Sequence, residues 1–437
     1  MPGRVDLPEG RGIVAWALYD WANSAFATVV MAGFFPIFFR EYWSRGQPSE
    51  TITFHLGVVN STASLLIALL APVLGAMADR GRTKKRFLAL FTLLGIAGTA
   101  SMFLLGGGHW QYAAVLYTVA VIGYMGANIF YDALLVAVAK PRDYDRVSSL
   151  GYGLGYLGGG GLFAVCVALT LWPSRFGLSD AAEAVKGAFL LTAVWWGVFS
   201  MPLLLRVPEP DGGSPVAGWG KVARAGWRQL LETLRHIRSL KLVGGFLLAY
   251  WLYIDGVNTV IRMAVNYAMS LGFGSQQLIA ALLLTQFVGI PAAIAFGYLG
   301  ERIGTRTAIL FGIGVYVLAT LWAAVMHSTW EFYAIAAVIG LVQGGVQGLS
   351  RALYARLIPS EKSGEFFGFY NMLGKFAAVI GPLLMGVTAL VSDDPRLSIL
   401  SILILFLSGA ILLWRLPMHG IGANWSDSAR ARRRRID

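Results

Sequence analysis

Long apolar blocks separated by short polar connections dominate the chain. They fall near residues 13–39, 54–78, 87–106, 112–138, 148–172 and 186–206, and again near 241–268, 277–300, 307–326, 330–355, 364–391 and 397–416. A helix needs about 20 apolar residues to cross the hydrocarbon of a bilayer, and every block reaches that length. The pattern predicts an all-α polytopic membrane protein of twelve transmembrane helices. The first block is too long for a signal peptide and carries Asp20 in its middle, so it is read as a retained helix.

Composition supports this reading. Of 437 residues, 57% are hydrophobic and 13% charged, against about 25% charged in soluble proteins. A soluble enzyme, a disulfide scaffold and a disordered chain are excluded. The single cysteine, Cys166, permits no intramolecular disulfide. The net charge of +12 first suggests nucleic acid, but its placement points elsewhere. Of the 35 Lys and Arg, 27 lie at the termini and in the alternate loops on their side, five lie in the opposite loops, and three lie within spans. Cytoplasmic loops collect Lys and Arg, so both termini are expected in the cytoplasm, in a bacterial inner membrane.

The blocks divide into an N-terminal six-helix bundle (1–206), a connector (207–240), a C-terminal six-helix bundle (241–417) and a basic tail (418–437). In the connector Trp227, Leu230, Leu231, Leu234 and Ile237 recur at helical spacing with arginines between them. A basic amphipathic helix on the cytoplasmic surface is expected there. The two bundles echo each other. Gly75-Ala-Met-Ala-Asp79-Arg80 closes the second span and Gly297-Tyr-Leu-Gly-Glu301-Arg302 closes the eighth. Asp20, Asn23 and Ser24 in the first span match Asp255, Asn258 and Thr259 in the seventh. Asn128 and Asp132 in the fourth match Gln347 and Arg351 in the tenth, at an offset of 219. Parallel six-helix repeats with substrate at their interface are a transporter architecture.

The turn Asp79-Arg80-Gly81-Arg82, repeated as Glu301-Arg302-Ile303-Gly304, resembles the loop signature of the major facilitator superfamily. The resemblance implies a cytoplasmic gate built from Gly75, Asp79, Arg80, Arg82, Gly297, Glu301 and Arg302, with glycines allowing the tight turns. The opening Trp16-Ala-Leu-Tyr19-Asp20-Trp21-Ala-Asn23-Ser24, and Tyr253-Ile-Asp255-Gly256-Val257 in span seven, are similar to the vacuole-effluxer-like branch of that superfamily. That branch is named for fungal vacuolar amino-acid effluxers, which implies amino-acid efflux. In the major facilitator fold, spans one, four, seven and ten line the central cavity.

Six ionisable residues lie within spans: Asp20, Asp132 and Asp255 against Arg262, Arg351 and Lys375. A charge at mid-bilayer costs at least about 2.5–3.5 kcal/mol, so each is expected to face the bundle interior, with partners. Asp20, Asn23, Ser24 and Thr28 form one polar stripe, and Asp255, Asn258, Thr259 and Arg262 a second. One reading makes these residues interhelical pairs, such as Asp132 with Arg351 across the repeat. The other gives Arg262, Arg351 or Lys375 a substrate carboxylate or phosphate to hold, with Asp20 or Asp255 binding an ammonium or carrying a coupling proton. Three acids against three bases suggest a zwitterionic solute.

Gly153-Leu-Gly155-Tyr-Leu-Gly158 spells a dinucleotide motif but has no strand before it. Gly151, Gly155 and Gly159 instead predict close helix packing. Gly381-Pro382 predicts a kink in span eleven. The five histidines lack metal-ligand spacing, and no nucleophile–base arrangement or nucleotide motif occurs. The expectation is a non-enzyme without cofactor: a monomeric secondary transporter in contact with membrane lipids. It would move an amino acid or short peptide by alternating access, coupled to protons, with export favoured. A lipid or lipid-linked-sugar translocase, or a non-transporting assembly factor or sensor on the same fold, are the alternatives.

Overall fold

The structure, a computed structural model, describes residues 10–209, 227–228, 241–270, 275–377, 380–392 and 395–417. Most of the connector, with its expected amphipathic helix, and the basic tail lie outside the described residues. Within them the chain is helical, and eleven helices are long and apolar enough to cross a membrane. In chain order the first six are α1 (Arg11–Trp43), α2 (Ser49–Gly81), α3 (Lys84–Ser101), α4 (Trp110–Ala133), α5 (Tyr144–Leu171) and α6 (Ala181–Arg206). Then follow α7 (Lys241–Ser270), in the place of the seventh span, α8 (Ser275–Ile303), α9 (Thr305–Val325) and α10 (Thr329–Leu357). The eleventh span consists of α11 (Ser363–Phe376) and α12 (Ile380–Ser392), and the twelfth of α13 (Pro395–Leu400) and α14 (Leu403–Arg415).

Local chemistry explains the boundaries. The Asp180 side chain accepts the Glu183 amide at the start of α6, and Ser328 with Glu331 forms a reciprocal capping box at the start of α10. Each satisfies amides that a helix start leaves open. Within α1, residues Phe26–Phe34 widen into π-helical turns, and the Phe35 amide reaches back to Val30 O. The sequence carries no signal for that widening. Pro382, two residues into α12, explains the break of span eleven. Proline lacks an amide hydrogen and its ring collides with the carbonyl four residues earlier, so a helix restarts at proline more readily than it runs through it. Ahead of the kink expected at Gly381-Pro382, α11 ends before Ala377, whose ψ of 41° leaves the helix.

Glycines set the approach of α5 to α1, as their spacing predicts. A Cβ on Gly155 would sit 2.6 Å from Ser24 Oγ, and one on Gly159 would sit 2.8 Å from Ser24 O. The Gly153–Gly158 motif lies inside this continuous helix and has no nucleotide-binding context. Tight turns close α2 and α8, but they differ from the expectation at one position. The second turn places its positive φ at Gly304 (88°), whereas the first places it at Arg82 (49°), not at Gly81. Arg82 and Gly304 are each the fourth residue of the repeated turn, so in the first copy the left-handed position falls on a side chain. A left-handed non-glycine residue costs roughly 1–2 kcal/mol. Arg82→Gly is therefore expected to stabilise the purified protein by about 1 kcal/mol, visible as a higher melting temperature in detergent. An unchanged or lowered melting temperature would show that Arg82 contributes contacts worth the strain.

Candidate coupling site, cavity and gate

Three charged side chains from three helices meet between the two bundles. Arg351 of α10 is 2% exposed and crosses to the N-terminal half. Its Nη1 donates to Asp132 Oδ1 at 3.0 Å and its Nη2 to Asp20 Oδ2 at 3.2 Å. Nε donates to Ser148 Oγ at 2.8 Å, and Nη2 also reaches Ser148 O at 2.9 Å. Four hydrogen bonds therefore engage a group with five N–H donors. The faces of the guanidinium lie over Trp16 (4.8 Å), Tyr152 (4.6 Å) and Tyr131 (5.3 Å). These rings keep water away while the ring quadrupoles favour the cation. Tyr131 Oη donates to Asp20 Oδ2 at 2.7 Å, and Asn371 Nδ2 of α11 donates to Asp132 Oδ2 at 2.9 Å. The pairing of Asp132 with Arg351 expected from the repeat is present. With Asp20 it makes a cluster of two carboxylates around one guanidinium.

The other intramembrane residues divide differently from the expectation. Asn23 does not reach the cluster; it donates to Asn128 Oδ1 at 2.6 Å. Asp255 reaches backbone amides. Its Oδ1 accepts the Gly381 amide at 3.0 Å and its Oδ2 the Ile380 amide at 3.2 Å, the first amides of α12. Asn258, one turn on, donates its side-chain amide to Ala377 O at 2.9 Å and Gly374 O at 3.3 Å, at the end of α11. One helix face thus satisfies both ends of the broken span: a carboxylate for the open N–H groups, an amide nitrogen for the open carbonyls. Lys375 is half-buried in the last turn of α11, where a cation suits the helix dipole. The Arg262 side chain lies outside the described residues.

A cavity of about 340 Å³ lies on the side of the cluster away from the basic loops. On α1 its wall begins at Ser24 and Thr28, beyond Asp20; on α10 it includes Gln343 and Gln347, short of Arg351. Tyr152 belongs both to this wall and to the rings around Arg351. Among the described residues, no Asp, Glu, Lys, Arg or His lines the cavity. Asp20, Asp132, Asp255, Arg351 and Lys375, expected to face the bundle interior, are therefore not part of its described wall.

At the basic end, two sets of contacts hold the halves together. Asp79 is 5% exposed and accepts the Gly364 amide at 3.0 Å and the Glu365 amide at 2.8 Å, with Lys84 Nζ at 2.7 Å. It caps α11 from the opposite half. The approach depends on glycine, because a Cβ on Gly75 would lie 2.0 Å from Gly364 O. Arg80 and Arg82 beside it are exposed. The second copy of the turn is weaker than its resemblance implies. Glu301 lies 3.8 Å from Arg146 across a partly exposed pair, Gly297 packs against Ser149 and Arg146, and Arg302 is exposed. The buried acid on that side is Asp145, which lies ahead of the block predicted at 148–172. It accepts from Arg356 Nη1 at 2.7 Å and from Thr305 Oγ1 at 2.7 Å. Its signal was available: Asp145 and Gly364 stand at the same 219-residue offset that aligns Asp132 with Arg351. Nearby, Glu209 at the exit of α6 accepts the Lys85 amide. Burial raises its pKa above the ordinary carboxylate value, against that hydrogen bond and the neighbouring basic side chains.

Removing one partner of a buried ionic cluster strands the rest. Arg351→Ala is expected to lose about 3–5 kcal/mol of stability, read by thermal denaturation in detergent. Asp255→Ala, which leaves two helix-start amides without acceptors, is expected to lose about 1–3 kcal/mol for each. Asp255→Asn, which keeps one acceptor oxygen, should lose less. Wild-type melting in Arg351→Ala or Asp255→Ala would mean that these bonds do not hold the described arrangement.

The chain matches the family described as "Vacuole effluxer Atg22 like" over residues 9–420. It is 36% identical over 405 residues to the uncharacterized MFS-type transporter YxiO of Bacillus subtilis (strain 168), covering 92% of this chain and 94% of that protein. It is 30% identical over 279 residues to Autophagy-related protein 22-1 of Penicillium rubens, covering 58% of this chain and 46% of that protein. Among solved structures, the human organic anion transporter MFSD10 (TETRAN) has the same fold, with a TM-score of 0.68, 18% identity and 93% and 100% coverage. So does an outward-facing bacterial homologue of the iron transporter ferroportin, with a TM-score of 0.65, 14% identity and 94% and 100% coverage. The chain belongs to the Atg22-like vacuole effluxer family of major facilitator transporters.

Proposed function

We propose that this protein is a secondary transporter of a small polar solute that works by alternating access and is driven by protons at the Asp20–Asp132–Arg351 cluster. The observation that carries the proposal is the position of the cluster. It joins α1, α4 and α10, and it lies between the cavity and the closed basic end. With the basic loops in the cytoplasm, as the Lys and Arg bias supports, the described state is closed to the cytoplasm. Opening that side separates Arg351 from both carboxylates and from Ser148. One proton on the carboxylate pair brings two negative charges and one positive to neutrality, and weakens the attraction that holds the halves together. Proton arrival is thereby linked to the conformational change, since a ligand shifts an equilibrium only by binding its two states unequally.

The zwitterionic solute expected from the six charges has less support. A zwitterion needs opposite charges beside it, and the described wall offers hydroxyls, amides and rings. Direction also needs its own test. A vacuole effluxer delivers solute to the cytosol, so across a bacterial membrane that name translates into either direction; flux is best followed both ways, export first.

The experiment is counterflow and gradient-driven flux in proteoliposomes. Asp20→Asn and Asp132→Asn are expected to abolish accumulation against a gradient and to flatten its pH dependence, while counterflow of the same solute persists. Accumulation that is equally strong and equally pH-dependent in both variants would remove the cluster from coupling. Gly75→Ala, whose Cβ meets the Gly364 carbonyl, is expected to prevent closure of the basic end. It should lower net flux at least about tenfold, the effect of a roughly 1.4 kcal/mol shift between states, in a protein that still folds. Wild-type flux in Gly75→Ala would show that this contact is not a gate.

A further inference from the structure

We infer that the cavity selects an uncharged amphipathic solute: an apolar or aromatic body carrying an amide, hydroxyl or similar neutral group. The inference rests on the transporter reading above and assigns a solute class to the same cavity. Its polar wall is made of groups that both donate and accept. Gln343 and Gln347 stand one turn apart on α10, Gln286 faces them from α8, and Tyr152 and Tyr124 come from the other half. A side-chain amide offers a carbonyl and an NH₂ in fixed relation, and so pairs with a ligand group that has both functions. Gln286 already makes such a contact across the cavity, donating to Thr28 Oγ1 at 3.1 Å.

Tyr316 of α9 lies behind the wall, fully buried. Leu278, Leu282, Ile335, Ile339 and Met385 fill much of the remaining wall, which suits an apolar body. A volume of about 340 Å³ lies at the small end of ligand pockets, so the body is of one or two rings. Among the described residues, Arg351 gives its hydrogen bonds to its own cluster, and Asp255 accepts the first amides of α12.

The test uses four probes with one body and different charges: indole-3-acetamide, indole-3-acetate, tryptamine and tryptophan. Binding is measured by titration calorimetry on the detergent-purified full chain, without any transport step. The neutral amide is expected to bind at least about tenfold more tightly than the anion, cation or zwitterion, because an ionic group would lose its hydration in a wall whose described residues carry no counter-charge. Gln347→Leu and Gln343→Leu are each expected to weaken the amide about tenfold, with melting temperatures unchanged. Equal or tighter binding of tryptophan or indole-3-acetate overturns the inference. Loss of that binding in Arg262→Gln would then assign the charge to Arg262. Binding by none of the four at millimolar concentration overturns it as well. Amide binding without flux in proteoliposomes leaves this selectivity standing and defeats the transporter reading instead.

Discussion

The arrangement depends on one guanidinium shared across the repeat. Arg351 donates to a carboxylate from α1, a carboxylate from α4 and a serine of α5, all in the opposite half of the chain. Buried ions are tolerable in a protein interior only when geometry and hydrogen bonds compensate their lost hydration. Here the compensation comes from the other bundle, so the ions are comfortable only while the halves are joined. The same bonds that make Arg351 acceptable in the membrane make the closed state specific. Gly151 shows how little room remains: a Cβ there would lie 2.5 Å from Asp20 Oδ2 and 3.1 Å from Arg351 Nη2.

The repeat explains why this pair meets. Asp132 and Arg351 stand 219 residues apart, the offset that relates the fourth and tenth spans. Residues related by a pseudo-twofold axis touch each other only near that axis, so a complementary pair at equivalent positions is a contact legible from sequence alone. The Asp79 latch was legible for a similar reason, because its turn is repeated. Span number, span boundaries to within a few residues and the packing role of the α5 glycines also followed from periodicity and spacing.

What sequence did not reveal lies where symmetry fails. Asp20 and Asp255 are equivalent in the repeat, yet Asp20 joins the central cluster and Asp255 caps α12. The difference originates in the partner helix. The α5 helix runs unbroken through a stretch of four glycines, while its counterpart contains Pro382 and divides into two. A divided helix exposes amides and carbonyls in the membrane, where each unsatisfied group is costly. Asp255 and Asn258 of α7 bond this backbone, and equivalence in sequence no longer means equivalence in role. Counting three acids against three bases treated all six as one cavity. Asp145, by contrast, was overlooked because loop charges were read for topology, although its bonds to Thr305 and Arg356 cross the same interface.

Separation of charge from cavity follows from these placements and constrains mechanism. The cluster and the Asp79 and Asp145 contacts stack along the interface toward the basic end, each acid buried, each contact joining opposite halves. The cavity begins where they stop. On the proposed mechanism, coupling passes through the residue that cluster and cavity share, Tyr152, which lines the cavity and has Arg351 4.6 Å from its ring centroid. Movement of Arg351 away from the carboxylates removes the cation from this ring and changes the cavity lining without a direct bond between solute and ion. The energy of such a contact is modest, about 0.5–2 kcal/mol for a cation on an aromatic face. That is within the range of coupling free energies by which one site biases another.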